Sequence, residues 1–267
     1  MSDNGIALQP AMAAAAFDPA LMAYDPVIND GTEFFFDFTR DISNPHADGA
    51  LASGATFRNV ARGGDTTVNY PDATLTATGW TVPTGKKGVR SDGDVADRLD
   101  LGKTYRHGID GNHFARTIAL KVPASGYDAG AYQTVASLLN SNTTDAEWYV
   151  DLGADGQTIR MILQDAVPTT KSVTLTSLET LGVLNFLTFG WNGTQAQFYV
   201  NGVLKSSVAM TSVYGGAMGQ NTRLRGDAIV DFFLFHGEDL TLSERSIADV
   251  AADLYDTHYA RIAALIA

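Results

Sequence analysis

Asn185-Phe186-Leu187-Thr188-Phe189-Gly190-Trp191, then Asn192-Gly193, then Thr194-Gln195-Ala196-Gln197-Phe198-Tyr199-Val200, then Asn201-Gly202, then Val203 to Met210, is the stretch that decides the fold. Two Asn-Gly pairs separate three runs of β-branched and aromatic residues. Asn-Gly favours the type I′ turn, in which both central residues have positive φ, and that turn joins antiparallel neighbours. In the middle run Ala196, Phe198 and Val200 fall on one face, and Gln195, Gln197 and Tyr199 on the other. Period-two alternation is the mark of a half-buried strand. The stretch predicts a three-stranded β-meander.

The same pattern continues on either side. Glu33 to Phe38 is aromatic and strand-like, and Thr117 to Val122 alternates polar and apolar. Trp148 to Leu152, the turn pair Asp155-Gly156, and Thr158 to Leu163 read as strand, turn and strand. Ile229 to Phe235 supplies a last strand. Residues 31–242 are therefore expected to form one all-β domain, an antiparallel β-sandwich. Trp148 and Trp191, inside strands, are expected in its core.

Two flanking segments do not fit this pattern. Residues 1–30 hold an Ala-rich patch and the pairs Asp18-Pro19 and Asp25-Pro26. Proline disfavours helix at the residue before it, so an extended N-terminal arm is expected. At the other end, Ser243 reads as an N-cap with Glu244 in the first turn. Ile247, Val250, Leu254, His258, Ile262 and Leu265 then recur at helical spacing. A C-terminal amphipathic α-helix over 243–267 would run roughly 37 Å at ~1.5 Å per residue. That exceeds what closing a sandwich edge requires. Its apolar face either packs back on the sandwich or contacts another protein.

Composition narrows the function classes. Net charge is −12, with 30 acidic and 18 basic residues, and only five of the acids are Glu. The excess of Asp signals many loops, where its side chain caps backbone amides. Phosphate binding needs clustered Lys and Arg, and the basic residues from Lys86 to Arg106 are interleaved with Asp92, Asp94, Asp97 and Asp100. No nucleic-acid partner is expected. The chain has no cysteine, which excludes disulfides, thiolate metal sites and cysteine catalysis and fits synthesis in a reducing cytoplasm. The start Met1 to Asn4 lacks positive charge and the apolar run Ala11 to Phe17 is short, so no signal peptide is expected. No stretch approaches the ~18 apolar residues of a membrane span.

Four segments, in order, resemble the laminin-G and concanavalin A-like jelly-roll family. Gly88 to Gly102, with Asp92-Gly93, Asp97 and Leu101-Gly102, resembles its F-D-G-x-x-D-Y-x-x-L/I-G strand–turn–strand, with Ser91 in place of the usual Phe. Phe114 to Val122 resembles the following strand, with Leu120 where Trp is common. Phe186 to Val203 resembles the family hairpin that ends in Y-V-N-G-V, and Asp231 to Ile247 resembles the closing element. The resemblance implies a concanavalin A-like jelly roll. It also implies a role in tailed-phage virions, where such domains without signal peptides serve as capsid or tail-surface decoration components and touch glycans. Other virion proteins or copies of the same chain, held through arm and helix, and host-surface glycans are then the expected partners. The virion is the expected location. A carbohydrate-binding module or receptor-binding adhesin is the alternative, and a glycan-active enzyme the second.

The chemistry-bearing residues are few. Glycosidases on this fold carry a Glu-x-Asp-x-(x)-Glu strand with two working carboxylates, and none of Glu33, Glu147, Glu179, Glu238 and Glu244 lies in that pattern. No enzymatic function is expected. Trp80, Tyr127, Tyr132 and Tyr214 lie in Gly- or Pro-containing contexts and are the candidates for stacking on sugars. Asp92, Asp94, Asp97 and Asp110 are the candidates for a rim Ca²⁺ site, as in several lectin-like relatives. Their spacing is not that of an EF-hand. The five histidines lack zinc-helix spacing.

Overall fold

Wherever the sequence alternates or clusters aromatic and β-branched residues, the chain is extended and paired. The computed structural model describes residues 25–61, 70–76, 78–85, 87–107, 111–123, 131–139, 146–153, 155, 157–164, 172–180, 182–214 and 219–267. Its strands are β1 Thr32–Asp37, β2 Gly49–Ala50, β3 Thr56–Phe57, β4 Ala73–Leu75, β5 Thr81–Val82, β6 Val89–Arg90, β7 Arg98–Asp100, β8 Phe114–Lys121 and β9 Gln133–Leu139. They continue as β10 Ala146–Leu152, β11 Thr158–Gln164, β12 Ser172–Leu178, β13 Asn185–Trp191, β14 Gln195–Val200, β15 Val203–Ala209, β16 Arg223–Arg225 and β17 Asp231–Asp239. Two helices follow, α1 Leu240–Ser243 and α2 Ile247–Ile266.

The strands form two antiparallel sheets. Sheet A runs β15-β14-β13-β8-β17-β6-β5-β2, with β1 also paired to β17. Sheet B runs β12-β11-β10-β9-β16-β7-β4-β3. Their inner faces meet in one core that includes Phe34, Phe36, Ile118, Trp148, Phe189, Phe198 and Phe235, the expected construction of a β-sandwich. Trp148 and Trp191 are buried as expected, and the Trp191 indole donates to Met210 O at 2.8 Å.

The meander forms as β13, β14 and β15. Asn201 and Gly202 have φ of 51° and 75°, as a type I′ turn requires. The first Asn-Gly pair closes differently. Among these two residues only Gly193 has positive φ. The Asn192 side chain accepts from Thr194 N at 3.1 Å and Gln195 N at 2.8 Å, so the Asn acts as a cap within a longer loop.

The 88–102 segment is strand, turn and strand, as the resemblance implies, and its two strands part: β6 pairs with β17 in sheet A, whereas β7 pairs with β16 and β4 in sheet B. Its turn carries the chain from one sheet to the other. One further expectation is corrected: Ser243 closes α1 and does not start the long helix. Asp239 caps α1, and Glu244 ends it with φ 57°. Ser246 caps α2 in a capping box with Asp249, its hydroxyl accepting from Asp249 N at 3.1 Å.

Helix α2 lies on the outer face of sheet A. Ile247, Val250, Leu254 and Ile262 join Phe35, Ala115, Ala119, Phe186 and Phe233 in a second core. Each buried Leu or Ile is worth ~1.5–3 kcal/mol, so the docked face is a substantial stabilising element. Polar bonds hold the far end: Arg261 donates to Thr39 Oγ1 at 2.6 Å and to Asp37 Oδ2 at 2.5 Å, and His258 Nε2 lies 3.1 Å from Asp25 Oδ1. Of the two packings considered for this helix, the one on its own sandwich is observed. Among the described residues no helix is long and apolar enough to cross a membrane.

Candidate functional site

The expected site residues do not converge. Trp80 is fully buried and stacks on Phe232, with ring centroids 5.8 Å apart and planes 15° from parallel. It is a core residue and offers no face to a sugar. The glycine beside it suggested a loop, but Gly79 has a local reason to be glycine: its φ is +122°, and a Cβ there would meet Asp92 Oδ2 at 1.8 Å. Tyr127 and Asp110 lie outside the described residues. Tyr214 is half-buried, and its backbone N–H donates to Gln164 O at 2.7 Å. Tyr132 is exposed, with the Arg160 guanidinium 3.6 Å from its ring centroid.

Asp92, Asp94 and Asp97 sit together in the β6–β7 crossing. Asp92 accepts from Asp94 N at 3.1 Å and Asp94 from Ala96 N at 2.8 Å, so both cap the turn. Asp97 is buried. Burial, then the charges of Asp92 and Asp94, push its carboxyl up to about 6. Among the described residues, the acid and histidine side chains close enough to share one ion are instead Asp25, Asp37 and His258. Two guanidinium groups already serve that trio, Arg261 on Asp37 and Arg40 3.6 Å from Asp25.

A second buried charge cluster bridges the sheets at one end of the sandwich. Arg116 of β8 is fully buried. It donates to Ala115 O, Tyr105 O and His107 Nδ1 at 3.0, 3.1 and 3.0 Å, and its Nη2 lies 2.9 Å from Glu33 Oε2. With Nδ1 accepting, the His107 proton belongs on Nε2, which faces Glu33 Oε1 at 3.3 Å. Both Glu147 oxygens accept from His107 N at 3.1 Å. Burial raises the Glu33 carboxyl, but His107 and Arg116, with a smaller effect of Lys103, outweigh it and hold the group down at about 2. A carboxylate so firmly ionised suits charge pairing and not proton donation at neutral pH.

The remaining polar concentration is the outer face of sheet B. The two outer sheet faces differ in kind, because both helices pack against sheet A. On sheet B the inward Leu99, Trp148, Val150 and Leu224 alternate with Arg98, Asp100, Tyr149, Asp151, Arg223 and Arg225, which therefore point outward. Pairing lays these side chains in a band. Asp100 is opposite Arg223, Arg223 opposite Ser137, and Ser137 opposite Tyr149. Beside it Asp151 accepts from Thr134 Oγ1 at 2.9 Å and from Arg160 Nη2 at 2.5 Å, which carries the band to the Arg160–Tyr132 pair. An aromatic ring amid carboxylate, guanidinium and hydroxyl groups can stack on a sugar and bond its hydroxyls. Sequence reasoning missed this face. Tyr149 reads there as an ordinary strand residue, and Arg98 only as one of the basic residues interleaved with Asp.

Two antiparallel sheets packed face to face, one of them backed by a helix, define the class as a β-sandwich. The chain belongs to the concanavalin A-like lectin/glucanase superfamily, whose family model matches residues 101–239, just over half of its length. The family suggested by its sequence segments is thus the family found. No curated protein matches the sequence. Among solved structures it is similar to the Trypanosoma rangeli sialidase, with TM-score 0.58 and 14% identity over 88% of this chain and 34% of that one. It is also similar to the receptor-binding domain of botulinum neurotoxin D, with TM-score 0.55 and 13% identity over 86% of this chain and 53% of that one. The chain thus spans about a third of the first and half of the second. At such identities the likeness is one of fold.

Proposed function

We propose that the protein is a carbohydrate-binding module and that the saccharide lies across the outer face of sheet B. The observation that carries this reading is the asymmetry of the two faces: α2 seals sheet A, while sheet B presents Tyr149 within a band of hydrogen-bonding side chains. Family membership and the likeness to a toxin's receptor-binding domain support the same reading. Tyr149 and Tyr132 supply the stacking surfaces, and Asp151, Arg160 and Thr134 the polar contacts. A glycan array probed with wild type and Tyr149→Ala tests it. Wild type should retain a defined set of saccharides that the variant loses, with both proteins equally folded. Equal retention by both would move the site elsewhere, and retention by neither would end the reading.

Display of this module on a phage particle is an extension of the proposal that rests on the sequence resemblance. One of its two motives is weaker now, since α2 spends its apolar face on its own sheet. The other, the arm 1–30, is described only from Asp25 onward, where Asp25 and Val27 are buried. Particles grown with and without residues 1–24 of this chain, analysed for its incorporation, would decide the point.

A further inference from the structure

The band on sheet B contains a charge imbalance that glycan binding in general does not explain. Arg98 and Arg225 are direct cross-strand partners, and Arg223 lies beside both. Like charges placed opposite each other destabilise a sheet. Arg225 has a counter-ion, with its Nε 3.1 Å from Asp227 Oδ1. Neither Arg98 nor Arg223 has a carboxylate oxygen within ion-pair distance among the described residues. Asp100, the nearest acid in register, offsets the Arg223 charge only from beyond ion-pair distance, and its Oδ1 accepts from Gly102 N and from Asn221 Nδ2, each at 2.8 Å.

Arg223 is only 5% exposed. Its side-chain hydrogen bond is a long one, from Nε to Asn221 O at 3.4 Å. Burial, and then the neighbouring Arg98, lower its pKa to about 10, a sign of a cation held where a cation is unfavourable. A second and independent sign is uncharged. Ser137, opposite Arg223, is fully buried, and among the described residues its hydroxyl has no hydrogen-bond partner; the buried Nε of Arg98 has none there either. Buried polar groups are normally satisfied, and a cluster that is not calls for a missing partner. That partner must accept several hydrogen bonds and carry negative charge. A planar guanidinium fork fits a carboxylate or sulfate oxygen pair.

We infer that Arg98, Arg223 and Ser137 form a subsite for the acidic group of a saccharide, a sugar carboxylate or sulfate ester, on the β9, β16 and β7 strands in the middle of the sheet B face. This deepens the carbohydrate-binding reading and rests on it. Arg225, neutralised by Asp227, borders the subsite, and Tyr149 connects it to the stacking surface.

The test compares matched saccharides by calorimetry. Sialyllactose is set against lactose, and a sulfated galactose against galactose, on wild type, Arg223→Gln and the less buried Arg98→Gln. Inorganic sulfate is added in parallel thermal unfolding. Acidic members should bind about ten- to a hundredfold tighter than their neutral partners, the value of one or two charged hydrogen bonds. Each substitution should erase most of that preference, lowering affinity for the acidic members far more than for the neutral ones. The preference should also shrink as NaCl rises from about 50 to about 500 mM. Preference for one acidic pair only identifies the carboxylate or the sulfate. Equal binding of acidic and neutral saccharides would overturn the inference while leaving the carbohydrate reading intact. If no saccharide binds but sulfate raises the midpoint of wild type and not of Arg98→Gln, the anion subsite stands and the carbohydrate reading falls. Silence in both assays overturns both.

Discussion

Replacing Glu33 by Gln tests the buried charge cluster that ties β1 to β8 and, through His107, to β10. In the native protein Glu33 is held at about 2, against an ordinary value of 4.5. A carboxylate whose folded pKa is depressed stabilises the fold above its unfolded pKa and loses that contribution as pH falls through the folded value. The fall from 4.5 to about 2 corresponds to roughly 3 kcal/mol at ~1.36 kcal/mol per pH unit. The substitution also leaves the Arg116 guanidinium in the core with backbone carbonyls but no neighbouring Glu33 charge, and breaking a buried pair costs about 3–5 kcal/mol. Urea unfolding of both proteins at several pH values reads the two effects together. At neutral pH Glu33→Gln should be less stable by about 3 kcal/mol. From about pH 5 to pH 3 the gap should narrow, because only wild type loses the Glu33 contribution. A gap that stays constant across this range would refute the argument that Glu33 ionisation supports the cluster.

Three further outcomes follow from the packing. Leu254→Ala removes a buried side chain from the interface of α2 with sheet A and should cost ~2–5 kcal/mol in urea unfolding; a near-neutral result would mean that the helix is undocked in solution. Asp97, its carboxyl pushed up to about 6 by burial and then by Asp92 and Asp94, opposes folding when ionised. Its folded pKa is raised, so the protonated form stabilises at low pH and that stability disappears as pH rises through about 6. Asp97→Asn should therefore raise the thermal midpoint above pH 7 and leave it nearly unchanged near pH 4, and a loss of stability at pH 7 would contradict this. Gly190 in β13 lies so close to β8 that a Cβ would sit 2.0 Å from Phe114 O. Gly190→Ala should cost at least about 2 kcal/mol, measured by chemical denaturation.

Much of the architecture was legible because a strand's alternation is a local property. Ala196, Phe198 and Val200 announce an inward face, and Asn201-Gly202 a tight turn, without knowledge of any distant residue. Sheet membership is not local. The Gly88–Gly102 segment reads as strand, turn and strand, but nothing within it tells that β6 joins β17 and β7 joins β16, each more than 120 residues away. Trp80 was misread for a related reason, since a nearby Gly and Pro look alike whether they flank a surface loop or a core-crossing turn. The arginine subsite has a faint signal in retrospect. Arg98-Leu99-Asp100 and Arg223-Leu224-Arg225 share the same polar–Leu–polar alternation, which sets their charges on one face. Only the pairing register brings those faces together.

Helix α2 also fixes how the module presents itself. Asp25 is bound to His258 and Asp37 to Arg261, so the chain's first described residues and the last turns of α2 are fastened to the same broad side of the molecule. The partly exposed Tyr149 and Arg160 of the sheet B band lie on the opposite side. Anything attached beyond α2, whether an affinity tag, a neighbouring domain or a solid support, therefore acts as a pedestal with the recognition surface turned to the solution. Immobilisation through the C-terminal end is accordingly the geometry of choice for binding measurements. The same geometry would array many copies on a scaffold with their sheet B faces all directed outward.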